Sequence, residues 1–273
     1  NDGFGFRYEF PEQEALKDFV IMDELTEFAL TGDHKAWSIP YEAHFYEALY
    51  EASPVSKLGW VSTPLTMETN DGLFLSIHEA NLTDYAAMNL IPKEGSMTLK
   101  ANLTPWSTGE KVFMKAPGVT PWRTMIVAES AGDLLLSRLM LNLNEPCRIQ
   151  DTSWIQPGRY IGIWWTYHMH KHTWHTGPHH GATTANALRH IDFAARHGFQ
   201  GVLIEGWNKG WDTYHFNFTE PYPDFDLKQI TDYAASKGVT LIGHHETDGW
   251  VSDYENQLEA AFNLYKDHGV QIV

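Results

Sequence analysis

Residues 239–246 read VTLIGHHE, a short apolar run followed at once by two histidines and a glutamate. The same pattern occurs twice upstream, in YIGIWW at 160–165 and in GVLIEGW at 201–207. Segments with helical periodicity separate these runs, namely ANALRHIDFAARH at 185–197 and DFDLKQITDYAASK at 224–237. Because short apolar strands that alternate with helices are typical of parallel sheets, the sequence predicts a series of βα units.

Local signals mark the limits of the predicted helices. Thr183 or Thr184 can cap the first helix, and Gly198 can end it. A third helix is predicted in SDYENQLEAAFNLYKDHG at 252–269, and VQIV at 270–273 opens a fourth strand. No glycine-rich phosphate loop follows the first strand, which argues against a dinucleotide-binding fold and favours a (β/α)8 barrel.

In the first 150 residues the hydrophobic pattern is different and is typical of short β-strands. PLTMETNDGLFLSIHEA at 64–80 predicts a hairpin with a tight turn at Asn-Asp-Gly. Further short apolar or alternating runs, separated by proline and glycine, are SMTLKANL (96–103), KVFMKA (111–116), RTMIVAE (123–129) and LLLSRLMLNL (134–143). We expect an antiparallel β-sandwich here, with one short helix at Glu12–Lys17.

The sequence therefore predicts a multi-domain chain. Residues 1–150 form the β-sandwich, and residues 151–273 form the first three βα units and the start of strand four of a TIM-type (β/α)8 barrel. A complete barrel takes roughly 250 residues, about twice the length of the second region. We expect this sequence to be part of a longer protein whose C-terminal remainder completes the barrel.

Composition narrows the classes of partner. A formal net charge of −16 disfavours nucleic acid, because phosphate binding needs basic patches. No apolar stretch approaches the ~20 residues of a membrane span, and no signal peptide is visible at the start. The 11 tryptophans suit stacking on sugar rings, although aromatic residues pack more often in cores. The single cysteine, Cys147, is expected to be buried.

In such a barrel, the active site lies where the strands end. Paired carboxylates between aromatic and imidazole side chains suit glycoside hydrolysis, in which one group protonates the leaving oxygen and the other activates water or attacks. Glu246 is the candidate catalytic residue, since four apolar residues and the end of a strand precede it closely. The other side chains expected at this mouth, as substrate-binding residues, are Trp165, Glu205, Trp207, Asn208, His244 and His245.

Purely structural roles remain open for several of these residues. Glu205 could accept hydrogen bonds from neighbouring backbone, and Trp207 could cap the barrel core. His244 and His245 point to opposite sides of a strand, so one of them could pack inward.

The barrel segments resemble glycoside hydrolase family 97, most closely its inverting α-glucosidase branch, which is found in bacterial starch-utilisation systems. The segments that carry the resemblance are SWIQPGRYIGIWW (153–165), HGATTANALRHIDFAARHGF (180–199), GVLIEGWNKGWD (201–212), PYPDFDLKQITDYAASKGV (221–239) and LIGHHETDGWVSDYENQLE (241–259). Upstream, IHEANLTDYAAMNL (77–90) and TPWRTMIVAE (120–129) resemble the N-terminal β-sandwich of the family.

The resemblance implies an exo-acting enzyme that hydrolyses α-glucosidic bonds of malto-oligosaccharides with inversion. Glu246, in the HHET motif, would be the base that activates water. The general acid and a second base would lie in motifs resembling NAHE and GNESxGxEY, which are absent from this sequence and are expected in the C-terminal remainder. The resemblance also implies export to the periplasm or the exterior.

A calcium ion held by carboxylates is a further implication of the resemblance, and hard cations do prefer oxygen ligands. The sandwich domain would contribute one glutamate to it. Glu79 is the first choice, with Glu42 and Glu47 behind it.

Three rival functions stay open. The chain could be a non-catalytic carbohydrate-binding fragment, since it lacks the general acid. It could be a zinc hydrolase that uses the histidines between 168 and 180, although these lack the H-E-x-x-H spacing of a helical zinc site. Within the same family it could be an α-galactosidase; in the retaining branch an aspartate on another strand is the nucleophile.

Overall fold

The computed structural model describes residues 2–43 and 46–273. The chain divides into two compact units, Asn1–Gln150 and Asp151–Val273. The division falls where the sequence changes from the β pattern to the alternating strand and helix pattern.

The N-terminal unit is built mainly of short strands. In chain order they are β1 (Gly3–Phe6), β2 (Glu9–Phe10), β3 (Asp18–Ile21), β4 (Glu27–Ala29), β5 (Lys35–Ser38), β6 (Glu51–Pro54), β7 (Val61–Ser62), β8 (Leu65–Glu68), β9 (Phe74–Ala80), β10 (Met88–Pro92), β11 (Thr98–Leu103), β12 (Val112–Lys115), β13 (Gly118–Val119) and β14 (Trp122–Ala128). Among the described residues, six strands form one sheet in the order β1-β14-β9-β8-β5-β6, and four form another in the order β4-β11-β10-β7. Two small ladders pair β12 with β3 and β13 with β2.

The two larger sheets are antiparallel and enclose one apolar core. Leu65, Met67 and Ile77 reach it from the six-stranded sheet, and Leu90 and Leu99 reach it from the four-stranded sheet. All five side chains are fully buried, and burial of each one contributes about 1.5–3 kcal/mol. This arrangement is the predicted β-sandwich.

The predicted hairpin is present. Strands β8 and β9 pair antiparallel, with Leu65 opposite Ile77 and Glu68 opposite Phe74. The turn between them includes Gly72 at φ +89°, a left-handed conformation that glycine adopts without a steric penalty.

The apolar run at 134–143 is helical, so the prediction of a strand there is wrong. It forms α1 (Ala131–Leu136) and α2 (Leu139–Leu143). Ser130 caps α1, because its hydroxyl oxygen accepts a hydrogen bond from the Asp133 backbone N–H.

The spacing of the leucines in α2 explains this difference. Leu139 and Leu143 are one helical turn apart and so lie on the same face. A methyl group added at Gly3 would come within 3.0 Å of the Leu139 side chain, and one added at Gly5 would come within 2.7 Å of Leu143. The helix therefore packs against β1, where a strand would have turned alternate leucines away.

Two smaller predictions about this unit are also wrong. Residues Glu12–Lys17 form a turn closed by a bridge between Gln13 and Leu16 in place of a helix. Cys147 is exposed rather than buried.

A buried cluster of charges ties the sandwich together. Arg123, with no exposed surface, donates two hydrogen bonds to Glu24, at 2.7 and 2.6 Å. It donates a third to Glu79 Oε2 at 2.6 Å, and the Met88 backbone N–H donates to Glu79 Oε1 at 3.0 Å. Both oxygens of Glu79 are thus engaged, one of them by a guanidinium that repels cations. This placement makes Glu79 part of a structural ion cluster, and its expected role as a calcium ligand stays a prediction.

The C-terminal unit consists of parallel βα units. Its strands are β15 (Tyr160–Gly162), β16 (Gly201–Leu203) and β17 (Thr240–Ile242), and its helices are α3 (Trp164–His168), α4 (Thr184–His197), α5 (Leu227–Ser236) and α6 (Val251–Asp267). The strands lie in chain order and pair in parallel, with Ile161 beside Val202 and Val202 beside Leu241. Ile272 forms a parallel bridge with Ile242, at the position predicted for a fourth strand.

The predicted caps are present at the two helices that cover the sheet. The Thr183 hydroxyl accepts from the Asn186 N–H at the start of α4, and Gly198 ends it at φ +72°. Asp226 accepts from the Gln229 N–H at the start of α5. These caps satisfy backbone donors that the helix cannot satisfy itself.

The core of this unit lies between the sheet and its helices. Ile191 of α4 and Ile230 of α5 are fully buried, and they join a cluster with Val202, Ile204 and Leu241 from the strands and strand ends. Within the described residues, no helix has both the length and the apolar character needed to cross a membrane.

The strands are shorter than predicted. The run at 160–165 leaves the strand after Gly162 and enters α3, so that Trp164 and Trp165 stand on a short helix. The polar ends of the other two runs also lie beyond their strands, in the loops that follow.

Replacement of Arg123 by methionine should cost about 3–5 kcal/mol of unfolding free energy, because Glu24 and Glu79 would stay buried without a counter-ion. Urea denaturation of the protein that contains this chain measures the loss. Removing all three charges together, with Gln at Glu24 and Glu79, should recover most of it.

The control for this prediction is Arg7→Met. Arg7 pairs with Glu9, a largely exposed carboxylate, at 2.9 Å, and such pairs contribute about 0–1 kcal/mol. Equal losses for the two arginine variants would contradict the structural role of the cluster.

Candidate active site

Strand pairing brings two functional candidates side by side. Leu203 pairs with Ile242 in the parallel ladder. Glu205 and His244 each come two residues after this pair, so both lie at the carboxyl end of the sheet. Their side chains meet there, with His244 Nε2 4.0 Å from Glu205 Oε2.

Glu246 sits in the loop that follows. Its Oε1 accepts hydrogen bonds from the backbone N–H groups of Thr247 and Asp248, both at 2.8 Å. Across the residues that the structure describes, no hydrogen-bond donor contacts Oε2. The loop therefore fixes the orientation of the carboxylate through one oxygen and leaves the other available.

Burial and the nearby charge of Glu246 shift the pKa values of Glu205 and His244. Burial, and secondly the negative charge of Glu246, raise the pKa of Glu205 to about 7. Burial lowers the pKa of His244, although the charge of Glu246 acts in the opposite direction. Near neutral pH, Glu205 is thus partly protonated and the His244 imidazole is uncharged.

The backbone of His244 is held by two aromatic side chains. The Tyr265 hydroxyl donates to the His244 carbonyl at 3.1 Å and accepts from its N–H at 3.0 Å. The Trp207 indole N–H donates to the same carbonyl at 2.9 Å. The last backbone bond to the next strand segment runs from the Gly243 N–H to the Ile272 carbonyl, and these side chains hold the residue that follows.

Trp207 therefore packs as a core residue, and its role in substrate binding stays a prediction. Only 2% of its surface is exposed, and its ring packs against Phe225 and Tyr265. It acts on the site through the backbone of His244.

Asn208 is also structural. It is fully buried, its amide donates to the Asn217 carbonyl at 3.2 Å, and its side-chain oxygen accepts from the Trp211 indole at 3.2 Å. These contacts close the loop after β16, and the predicted role of this residue in substrate binding stays a prediction.

His245 lies beyond the last residue of β17, and its side chain contacts α6. Its ring stacks on Tyr265 at 4.9 Å and 11°, and its Nδ1 shares a hydrogen bond of 3.0 Å with the Tyr254 hydroxyl. Both partners belong to α6. Burial, and secondly the neighbouring His244, lower the pKa of His245 to about 4. His245 thus packs against α6 instead of facing the carboxylates.

Trp165 lies on α3 with 63% of its surface exposed, stacked on Trp164 at 5.1 Å. The exposed face leaves it available for a sugar ring, and its role in substrate binding stays a prediction.

An aromatic column that sequence reasoning missed runs beside the site. Trp174 stacks on Tyr167 at 3.8 Å and on Trp211 at 4.7 Å, with an angle of 5° between the two indoles. Trp211 in turn lies parallel to the His244 ring at 6.1 Å. The column joins the loops after all three strands. In the sequence its members are scattered, and no regular spacing would have identified them.

The residues at hand do not fit a calcium site. Within 2–43 and 46–273, no group of three or more His, Cys, Asp or Glu side chains could hold a metal ion. This applies equally to the histidines between 168 and 180. Glu79 is committed to Arg123, and the alternatives Glu42 and Glu47 are exposed residues. The resemblance places most of the calcium ligands in the C-terminal remainder, so the calcium ion stays a prediction.

Comparison with known proteins places this geometry in context. Residues 1–146 match the family described as "Glycosyl-hydrolase 97 N-terminal", and residues 164–273 match "Glycoside hydrolase 97". A curated relative from Bacteroides thetaiotaomicron, named retaining alpha-galactosidase, is 26% identical over 309 residues, which cover 99% of this chain and 44% of that protein. The chain thus spans less than half of the relative.

Solved structures of the same family also match this chain. A glycoside hydrolase family 97 enzyme from Pseudoalteromonas sp., in complex with acarbose, is 47% identical with a TM-score of 0.93. A variant from the same source, in complex with panose, gives the same identity and TM-score. Each match covers 99% of this chain and 42% of the other. From these matches we conclude that the chain belongs to glycoside hydrolase family 97.

Proposed function

We propose that the enzyme containing this chain is an exo-acting α-glucosidase that hydrolyses α-glucosidic bonds of malto-oligosaccharides with inversion. The solved relatives at 47% identity support glucoside specificity, since their complexes hold acarbose and panose, and panose consists of α-linked glucose units. The proposal depends most on one observation, the carboxylate of Glu246 held by two amides with one oxygen available.

In the proposed reaction, Glu246 is the general base. Its Oε2 takes a proton from water as the water oxygen attacks the anomeric carbon. The bond from that carbon to the leaving oxygen breaks, and the leaving oxygen takes a proton from a general acid. We place that acid outside these residues, in the C-terminal part of the barrel. A single displacement of this kind inverts the anomeric configuration.

Glu205 and His244 would bind the sugar. Because the pKa of Glu205 is raised to about 7, its protonated form can donate a hydrogen bond to a sugar hydroxyl at neutral pH. The Nδ1 atom of His244 is buried, with no hydrogen-bond partner among the described residues. Such atoms carry a desolvation cost that a hydroxyl group could relieve.

The proposal for the whole enzyme also includes calcium dependence and export. Calcium, if it takes part, draws its ligands mainly from outside this chain, and no step above passes through it. Activity measured with and without EDTA checks that dependence. Export to the periplasm or the exterior is the location that suits an oligosaccharide substrate.

A retaining α-galactosidase is the second candidate, favoured by the name of the curated relative. We expect the full-length enzyme to hydrolyse p-nitrophenyl α-glucoside faster than the α-galactoside. Proton NMR of the first product should show the β anomer of glucose. Preference for the galactoside, or an α-anomeric product, would replace the proposal with the second candidate.

Glu246→Gln should lower kcat by about 10²–10⁴-fold, because the amide cannot accept the proton of the attacking water. Steady-state kinetics on the full-length enzyme measures the change. Glu255→Gln, on the exposed face of α6, is the control and should leave kcat unaltered. A kcat for Glu246→Gln within a few-fold of wild type would rule out the base assignment.

Glu205→Gln should stabilise the protein increasingly as the pH rises. Glu205 titrates near 4.5 when unfolded and near 7 when folded, so between these values the folded state binds more protons and wild-type stability falls with pH. Glutamine does not titrate there. The difference in Tm, variant minus wild type, should grow from pH 4.5 to 7 and stay constant above it.

Thermal melts across that range measure the difference in Tm. With Glu255→Gln as reference, a difference that does not vary with pH would show that Glu205 titrates normally.

A further inference from the structure

A buried histidine lies behind the loop that carries Glu205. The side chain of His180 has no exposed surface and contacts two acceptors. Its Nε2 is 2.9 Å from the Gly206 carbonyl oxygen, and its Nδ1 is 2.8 Å from Asp224 Oδ2. The Tyr222 ring lies at 80° to the imidazole, with the two ring centroids 5.2 Å apart.

The acceptors determine where the protons lie. A carbonyl oxygen can only accept, so Nε2 of His180 carries a proton and donates it to Gly206. A second proton must lie between Nδ1 and Asp224 Oδ2, since two acceptors would not approach to 2.8 Å. His180 and Asp224 therefore share two protons, and in the bond to Gly206 the imidazole is always the donor and the carbonyl the acceptor.

Both members of the pair are anchored to the start of α4. The backbone N–H and the hydroxyl of Thr184 donate to the Asp224 carbonyl at 2.9 and 3.1 Å. The Asn186 amide donates to the Gly181 carbonyl at 2.8 Å, next to His180. Helix α4 thus supports the hydrogen bond from His180 to the Gly206 carbonyl, which lies just after β16.

The bonded peptide has little freedom. Gly206 stands at φ +74°, and a methyl group there would approach the Trp174 carbonyl oxygen to 2.9 Å. On its other side, the Glu205 carbonyl accepts from the Tyr167 hydroxyl at 2.9 Å. The carbonyls before and after the Gly206 α-carbon are therefore both held, which restricts the backbone that carries the Glu205 side chain.

We propose that His180, oriented by Asp224, is a positioning residue of this glycoside hydrolase, acting through the Gly206 peptide to hold the Glu205 carboxyl group against His244. The inference rests on the proposed function for the role of Glu205 in substrate binding. Neither His180 nor Asp224 touches substrate in this scheme. Because misplacement of a reacting or binding group by ~1 Å can cost about 10²-fold in rate, such support has measurable consequences.

Two isosteric variants separate the contacts of His180. In His180→Gln the terminal amide nitrogen takes the place of Nε2, so the bond to Gly206 is kept and the bond to Asp224 is lost. In His180→Asn the amide nitrogen takes the place of Nδ1, so the bond to Asp224 is kept and Gly206 is released. A merely structural pair would be damaged similarly by both changes.

The test uses the full-length enzyme, with kcat, KM and Tm measured for each variant. We expect His180→Gln to keep kcat within about tenfold of wild type, and His180→Asn to lose about 10²-fold. His190→Gln, a half-buried histidine of α4 outside the site, is the control and should match wild type. Equal kcat for the two His180 variants, whether high or low, overturns the proposal.

A direct measurement separates this inference from the proposed function. Crystal structures of the variants should show the Glu205 carboxyl displaced in His180→Asn and in place in His180→Gln. If wild type hydrolyses α-galactosides in preference to α-glucosides, the proposed function fails, and the same kinetic comparison on the galactoside still decides the role of His180. If His180→Asn does not fold, Asp224→Asn takes its place, and an undisplaced Glu205 with unchanged kcat in that variant overturns the proposal.

Discussion

The parallel pairing of β16 with β17 is the constraint on which the candidate site depends. Its register places Leu203 beside Ile242, and therefore Glu205 beside His244 two residues later. Beyond the last ladder bond the chain has no strand partner. Side chains take over that work, with the Tyr265 hydroxyl and the Trp207 indole bonding the backbone of His244. Trp207, which the sequence placed among the substrate-binding residues, thus supports the backbone of the site.

The chain treats buried charge in two contrasting ways. In the sandwich, Glu24 and Glu79 share the guanidinium of Arg123, and every oxygen finds a donor. At the strand ends, Glu205 is buried near the charge of Glu246, and among the described residues its ion-pair partner is the His244 imidazole, 4.0 Å away. Burial raises the pKa of Glu79 as well as that of Glu205, so the difference between them lies in their hydrogen bonds. Each oxygen of Glu79 has a donor, whereas a buried carboxyl group without donors is costly and is typical of functional sites. This contrast distinguishes the structural glutamates from the candidate functional ones.

Much of the fold could be predicted from local patterns. The hairpin at β8 and β9, the caps Thr183 and Asp226, and the parallel order of the βα units all follow from turn chemistry, capping and hydrophobic period. The run at 134–143 was mistaken for a strand because a short apolar run has no decisive period of its own. Its helical form depends on the sheet face that Leu139 and Leu143 cover, which local sequence does not show.

By itself, the sequence determined the fold class, the strand ends at which Glu205, His244 and Glu246 gather, and the family through long matching motifs. Those features depend on residue order along one chain. Only the tertiary structure decided which polar side chains face the site and which are bound by their neighbours. Trp207, Asn208, His245 and Glu79 each contact a residue distant in the chain, namely His244, Asn217, Tyr265 and Arg123. Spacing in the chain cannot reveal such partners, because folding brings them together from far apart.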